Sequence, residues 1–262
     1  MKPILIFDYD GTLHETMKIY APAVYDTVRW LNTSCGVSAA VPEEARIKSW
    51  LGMNTADMWN DFMPELAPEQ RARAAHRIGD SMRENLLAGR GGWYDGVREM
   101  LDRLKAAGFR MAVLSNCGIS YARTHWDFFG MDRWFTAFFP CECWDGAPKQ
   151  EIMADIARGF SEALEKTPVR RKTDRKEQAD EGDGSCGFVV IGDRYSDFEG
   201  ARAAKAPFIG CRYGYGTPEE LAEADAQADR PSDIARMLTG TYNRDDGMRP
   251  AKPGCIGQEG SG

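Results

Sequence analysis

The chain has no long hydrophobic run: nothing in its 262 residues approaches the ~20 consecutive apolar residues a membrane helix needs. It shows no secretion signal either, because after Lys2 the apolar run covers only Pro3 to Phe7 before Asp8 ends it. It has no cationic excess. The 33 basic residues face 40 acidic ones, and the net charge of −7 argues against a general nucleic-acid binder. That balance leaves room for a phosphorylated substrate, since a few local cations and a metal can dominate one pocket. The seven cysteines (Cys35, Cys117, Cys141, Cys143, Cys186, Cys211, Cys255) are odd in number and lack zinc-ribbon spacing. The lone C-x-C of Cys141 and Cys143 reads as ordinary reduced thiols. Together these absences predict a cytoplasmic protein with neither nucleic-acid nor membrane partners.

What is present is ample material for a core, 43% hydrophobic with 11% aromatic residues. Short continuous apolar runs, the mark of strands buried on both faces, occur at Ile4 to Phe7, Met111 to Leu114, Phe188 to Ile191 and Pro207 to Cys211. Helical patterns separate them: Val97 to Ala107, closed by Gly108, then Ile152 to Ala163 and Phe198 to Ala204. Strands alternating with helices predict an α/β fold, a Rossmann-like parallel sheet with right-handed crossovers. The sheet core is expected over residues 1–13 and 93–240.

Residues 14–92 read differently. Amphipathic helices (Tyr20 to Leu31, Pro42 to Leu51, Pro68 to Leu87) dominate without a strand-like run, which predicts a helical module inserted after the first strand. Trp50, Met53, Met58, Trp59 and Phe62 are expected to pack within it. Glu165 to Gly187 is dense in charges of both signs and nearly free of apolar residues, so a solvated, flexible insertion is expected. The polar residues 241–262 are expected to form a disordered tail.

The chemistry-bearing residues follow the strands. In an open parallel sheet the crevice lies beyond the carboxyl ends of the strands. Four polar signals fall there: Asp8 with Asp10, Ser115 with Asn116, Lys149, and Asp193 with Asp197. Aspartates at i and i+2 on an extended segment point to one side, and like charges held so close separate in pKa. One can then attack while the other holds a proton. Further acids in one crevice require a cation, and all-oxygen ligands select a hard divalent ion, Mg²⁺ above others. Lys149 adds a fixed positive charge. A metal, an ammonium group and a hydroxyl around an attacking carboxylate suit phosphoryl transfer, where positioning and charge stabilisation are the main tasks. Each signal alone is weak, since strand-end aspartates often cap turns. Jointly they leave little room for coincidence.

These residues resemble the four motifs of the haloacid dehalogenase superfamily. Phe7-Asp-Tyr-Asp-Gly-Thr-Leu13 is similar to the first, D-x-D-G-T-L, and Leu114-Ser-Asn116 to the second. Lys149 in Ala-Pro-Lys-Gln-Glu-Ile stands for the third, and Gly192-Asp-Arg-Tyr-Ser-Asp197 resembles the fourth, G-D-x-x-x-D. The resemblance implies that residues 14–92 are the family's helical cap. It implies Asp8 as nucleophile and metal ligand, and Asp10 as general acid/base lending its backbone carbonyl to Mg²⁺. It also implies that Ser115, beside Asn116, and Lys149 bind the phosphoryl group, and that Asp193 and Asp197 belong to the metal site. An acid at Asp10 sets the chain apart from the dehalogenases of that superfamily. The chain most resembles its phosphoglycolate phosphatase-type members, through Trp93-Tyr-Asp-Gly-Val97 and Cys211-Arg-Tyr-Gly-Tyr-Gly216. It departs from them at Asp95-Gly96, at Lys149-Gln150 and in the charged insertion.

The expected activity is Mg²⁺-dependent hydrolysis of a small phosphorylated metabolite through an aspartyl-phosphate. Two alternatives stay open: a sugar phosphomutase using the same intermediate, and a binding protein that keeps the fold without turnover. Gly52-Met-Asn-Thr55 is the expected substrate-selecting loop of the cap. His14 is expected to be a hinge or surface residue. The motifs leave the substrate and the oligomeric state open.

Overall fold

The computed structural model describes residues 2–53, 55–171 and 187–242. In chain order, β1 (Ile4–Phe7) is followed by four helices: α1 (Met17–Ser34), α2 (Glu44–Ser49), α3 (Thr55–Phe62) and α4 (Pro68–Leu87). Next come α5 (Val97–Ala106), β2 (Met111–Ser115), α6 (Ile119–Phe129), β3 (Phe138–Pro140), α7 (Lys149–Arg158) and α8 (Phe160–Lys166). The described chain closes with β4 (Phe188–Gly192), α9 (Tyr195–Ala203), β5 (Phe208–Cys211), β6 (Ala226–Ala228) and α10 (Pro231–Tyr242). The six strands form one parallel sheet in the order β3-β2-β1-β4-β5-β6. The expected α/β architecture with a helical cap inserted after the first strand is therefore present.

β1 shows why a continuous apolar run suits this sheet. Leu5 and Phe7 enter one core layer with Val97, Leu101 and Leu104, while Ile4 and Ile6 enter the opposite layer with Ile152 and Ile156. Both faces are covered, so alternation with polar residues would bury unpaired polar groups. α5 buries Val97, Met100, Leu101 and Leu104, the spacing read from the sequence. Its end is a Schellman turn: Gly108 N–H donates to the Lys105 carbonyl and Phe109 N–H to that of Leu104. Gly108 sits at φ +79°, where a side chain would be strained.

The four helices α1–α4 share a core of their own, built on Val24, Val28, Leu31, Ile47, Trp59 and Ile78. Trp50, Met58 and Trp59 are buried there and Phe62 packs against them. Met53 does not join that core; it stands 41% exposed.

Several expectations need correction. The helix read from Ile152 to Ala163 breaks at Gly159, whose extended backbone (φ −162°, ψ 94°) separates α7 from α8. Strands β3 and β6 were not legible, one carrying a proline and the other reading Ala-Gln-Ala. The charged stretch from Glu165 is not loose from its start. α8 runs to Lys166, and Val169 is fully buried. The main chain then pairs along the edge of β3, with Phe138 N–H donating to the Val169 carbonyl and Arg171 N–H to that of Thr136. One buried valine and a line of backbone bonds anchor the segment despite its charge, and they cover an edge that would otherwise stay open. The remainder of that stretch, 172–186, lies outside the described residues. Residues 241 and 242, expected in the tail, close α10, and 243–262 lie outside the description.

His14 is no surface residue. It is fully buried, stacked on Tyr9 and edge-on to His125. Tyr9 Oη is 2.8 Å from His125 Nδ1 and takes the indole N–H of Trp93. Burial pushes the His14 imidazole down to about 3, with Lys18 adding to the shift, and holds His125 well below its ordinary value. Both rings stay neutral in the fold while the unfolded chain protonates below about pH 6.5, so each costs stability as pH falls through that value. Buried aspartates with raised pKa act in the opposite sense, so the effect is read as a difference between two proteins. Urea unfolding should show the advantage of wild type over His125→Gln shrinking by about 2 kcal/mol between about pH 7.5 and pH 5. An advantage independent of pH would mean the folded state already binds that proton.

Candidate active site

The connections reverse direction between β1 and β4: β2 and β3 lie to one side of β1, and β5 and β6 lie beyond β4. Such a switch point opens a crevice at the carboxyl ends of the strands. Phe7 is in register with Ile191, and Asp8 N–H donates to the Ile191 carbonyl at 2.8 Å. Asp8 thus emerges beside the Gly192–Asp193 turn. The loop after β3 delivers Lys149 at the first turn of α7. Its ammonium lies 2.5 Å from Asp8 Oδ1 and 2.6 Å from Asp197 Oδ1, all three groups buried.

Asp193 completes a carboxylate cluster. Asp8, Asp193 and Asp197 each offer an oxygen, and these oxygens all lie within 4.8 Å of one another. Among the described residues this is the only such group of potential metal ligands. Asp193 is fixed by Thr12 Oγ1 (3.0 Å) and by the N–H of Tyr215 (2.7 Å). Asp197 accepts from the N–H groups of Asp193 and Arg194. The loops pack so closely on Asp193 that a Cβ on Gly11 or Gly214 would stand 2.4 Å from its side chain.

The electrostatics are those of too many acids for one lysine. Burial raises the pKa of Asp193 well above the carboxylate range, and the charges of Asp8 and Asp197 push it further. Burial and Asp8 push Asp197 up to about 6, against the pull of Lys149. Asp8 is raised by burial despite Lys149. Burial alone would drive the Lys149 ammonium toward neutrality, but Asp197 and Asp8 outweigh it and hold its pKa above the ordinary value. Three buried oxygen donors with surplus negative charge fit a hard divalent cation, which would offset the repulsion.

Asp10 lines the same cavity as Asp8 but is held by different partners. Its Oδ1 accepts from Thr16 Oγ1 and Tyr121 Oη, both at 2.6 Å, and Oδ2 from Ser115 Oγ at 3.3 Å. Thr16 spends its only proton on Asp10, so His14 Nδ1, 2.8 Å from the same hydroxyl, is the donor to it. Burial raises the Asp10 pKa against these donors. Its side chain is not among the clustered metal-type oxygens.

A cavity of about 300 Å³ lies above these groups, between the sheet and the cap. Asn116 does not stand free beside Ser115; its amide donates to the Gly52 carbonyl of the cap at 3.2 Å. Arg194 donates to the neighbouring Leu51 carbonyl and pairs with Glu220. Gly52, Met53 and Thr55 of the expected selecting loop line the cavity, and Asn54 lies outside the described residues. Of the cysteines, the five described are all unpaired, and Cys186 and Cys255 fall outside. No described helix is long and apolar enough to cross a membrane.

The structure brings together every residue named from the sequence: Asp8, Asp10, Ser115, Lys149, Asp193 and Asp197 at one crevice, with Asn116 at its rim. Sequence reasoning missed Thr16, Tyr121 and Arg194. Arg194 stood inside a quoted motif, and only its reach across to the cap makes it notable. Tyr121 and Thr16 carry no pattern of their own, because their contacts with Asp10 arise from folding.

The match to known proteins agrees with this geometry. Residues 3–205 match the family model of haloacid dehalogenase-like hydrolases. A phosphoglycolate phosphatase of Psychrobacter arcticus is 25% identical over 85% of this chain and 88% of its own length. A 5'-nucleotidase of Pseudomonas aeruginosa is 26% identical over 84% of this chain and 86% of its own. The crystal structure of a predicted phosphoglycolate phosphatase from Haemophilus somnus superposes with a TM-score of 0.69 at 20% identity, covering 90% of this chain and 97% of that one.

Relief of carboxylate repulsion can be read without turnover. Mg²⁺ or Mn²⁺ at about a hundred times its Kd should stabilise the protein by about 2.7 kcal/mol in thermal unfolding. Asp193→Asn should raise the Tm of the metal-free protein and remove that gain. A destabilised metal-free variant would contradict the repulsion argument.

Proposed function

Because the chain belongs to the haloacid dehalogenase-like hydrolases, we propose that it is a phosphatase of small phosphate monoesters, working through an aspartyl-phosphate on Asp8. The observation that carries this reading is the Asp8 carboxylate itself, buried at the cavity floor with Lys149 at 2.5 Å and Asp10 on the same wall. Relatives named phosphoglycolate phosphatase and 5'-nucleotidase, matched over most of their length, support phosphate esters as substrates. Mg²⁺ is the proposed cation, held by Asp8, Asp193, Asp197 and the main-chain carbonyl of Asp10. When bound, it supplies positive charge beside the phosphoryl oxygens.

The chain's own residues account for the remaining work. Asp8 attacks phosphorus, and the bond to the leaving oxygen breaks as Asp10 delivers its proton to that oxygen. Burial keeps the Asp10 pKa raised, which lets it carry the proton. Asp10 then takes a proton from water, whose oxygen attacks phosphorus and breaks the bond to Asp8, releasing inorganic phosphate. Lys149 and Ser115 hold the phosphoryl oxygens, and the Lys149 ammonium favours the ionised form of Asp8 against the effect of burial. Thr16 and Tyr121 orient Asp10. The cap excludes bulk water while the ester bond is made reactive.

Phosphate release from a panel of monoesters tests the proposal. Release should require Mg²⁺, vanish with Asp8→Asn, and fall about 10²–10⁴-fold with Asp10→Asn. Acid-quenched enzyme should carry phosphate on Asp8. Undiminished release from Asp8→Asn would refute the intermediate.

A further inference from the structure

The cavity floor is crowded with charge, whereas its roof has none. The cap side is made of Trp50, Leu51, Met53, Met58, Ile78 and Met82, with small or hydroxyl-bearing residues between them. No lysine, arginine or histidine of the cap is among the described residues that line it. Two cations reach the cavity from the core, and both are engaged. Lys149 is held between Asp8 and Asp197, and Arg194 pairs with Glu220 while donating to the Leu51 carbonyl.

A carboxylate or second phosphate on the leaving group would therefore be placed under an apolar roof whose nearest cation, Arg194, is already paired with Glu220, a costly transfer. An uncharged group would bury its apolar face there. Its hydroxyls could reach Thr55, Asn116 or Ser196, the neutral polar groups of the wall. The volume of about 300 Å³ is at the lower end for a ligand pocket, so the space left beyond the phosphoryl group suits something near one ring in size.

We propose, resting on the phosphatase reading above, that the leaving group is an uncharged alcohol with an apolar face, and that short acidic esters such as phosphoglycolate are disfavoured. The cap selects here by withholding a cation rather than by supplying a specific donor.

Benzyl phosphate and 2-phosphoglycolate make a suitable pair, since both release primary alcohols and differ in charge and apolar area. With Mg²⁺ present, kcat/KM for phosphate release should favour benzyl phosphate about tenfold or more. Met53→Lys, which places an ammonium in the roof, should narrow that ratio by raising turnover of phosphoglycolate. A smaller preference, its reversal, or a ratio that Met53→Lys leaves unmoved would overturn the inference while the phosphatase reading stands. Release from neither ester, nor from any other monoester, would sink that reading and this inference with it.

Discussion

The ammonium of Lys149 between Asp8 and Asp197 is the contact on which the site depends. Several acids are buried in one crevice, and burial opposes the charge of each. One lysine does not neutralise them, and the surplus makes the site chemically suited to a hard cation. The same surplus makes the site costly to assemble. Buried charge that is only partly compensated must be held by a scaffold that cannot relax around it, and here that scaffold is a sheet packed on both faces.

The sheet does this through register. β1 and β4 are paired so that Asp8 and the Gly192–Asp193 turn leave the sheet at the same level. β2 places Ser115 one strand away. Lys149 comes from the connection after β3, carried on the first turn of α7. No element supplies more than part of the site, so misplacing one strand would scatter it. The apolar residues of β1 are the reason such misplacement is unfavourable, since a slip of one residue would exchange the sets Leu5/Phe7 and Ile4/Ile6 between two differently shaped layers.

Much of this was legible in the sequence, because continuous apolar runs mark doubly covered strands and the acids follow them directly. Ile4 to Phe7 and Phe188 to Ile191 could be read this way. β6 could not, since Ala226-Gln-Ala228 has neither bulk nor pattern and owes its strand state to pairing with β5. The ordered segment around Val169 was hidden by its charged neighbours, because composition averages over the one residue that anchors it. At the site, side chains adjacent to strand ends were readable. Tyr121 and Thr16 were not, since a hydrogen bond to Asp10 across a fold leaves no periodic trace. The buried pair His14 and His125 was likewise invisible, because distance along the chain conceals that they touch.

Asn116 and Arg194 each follow directly on a floor residue, Ser115 and Asp193, and they grip consecutive carbonyls of the cap, Gly52 and Leu51. The roof is thus indexed to the floor at two points, one beside the Ser115 hydroxyl and one beside a metal-type carboxylate. Lifting the cap must break both bonds together. A substitution that shifts the backbone of residues 51 and 52 therefore disturbs both contacts at once.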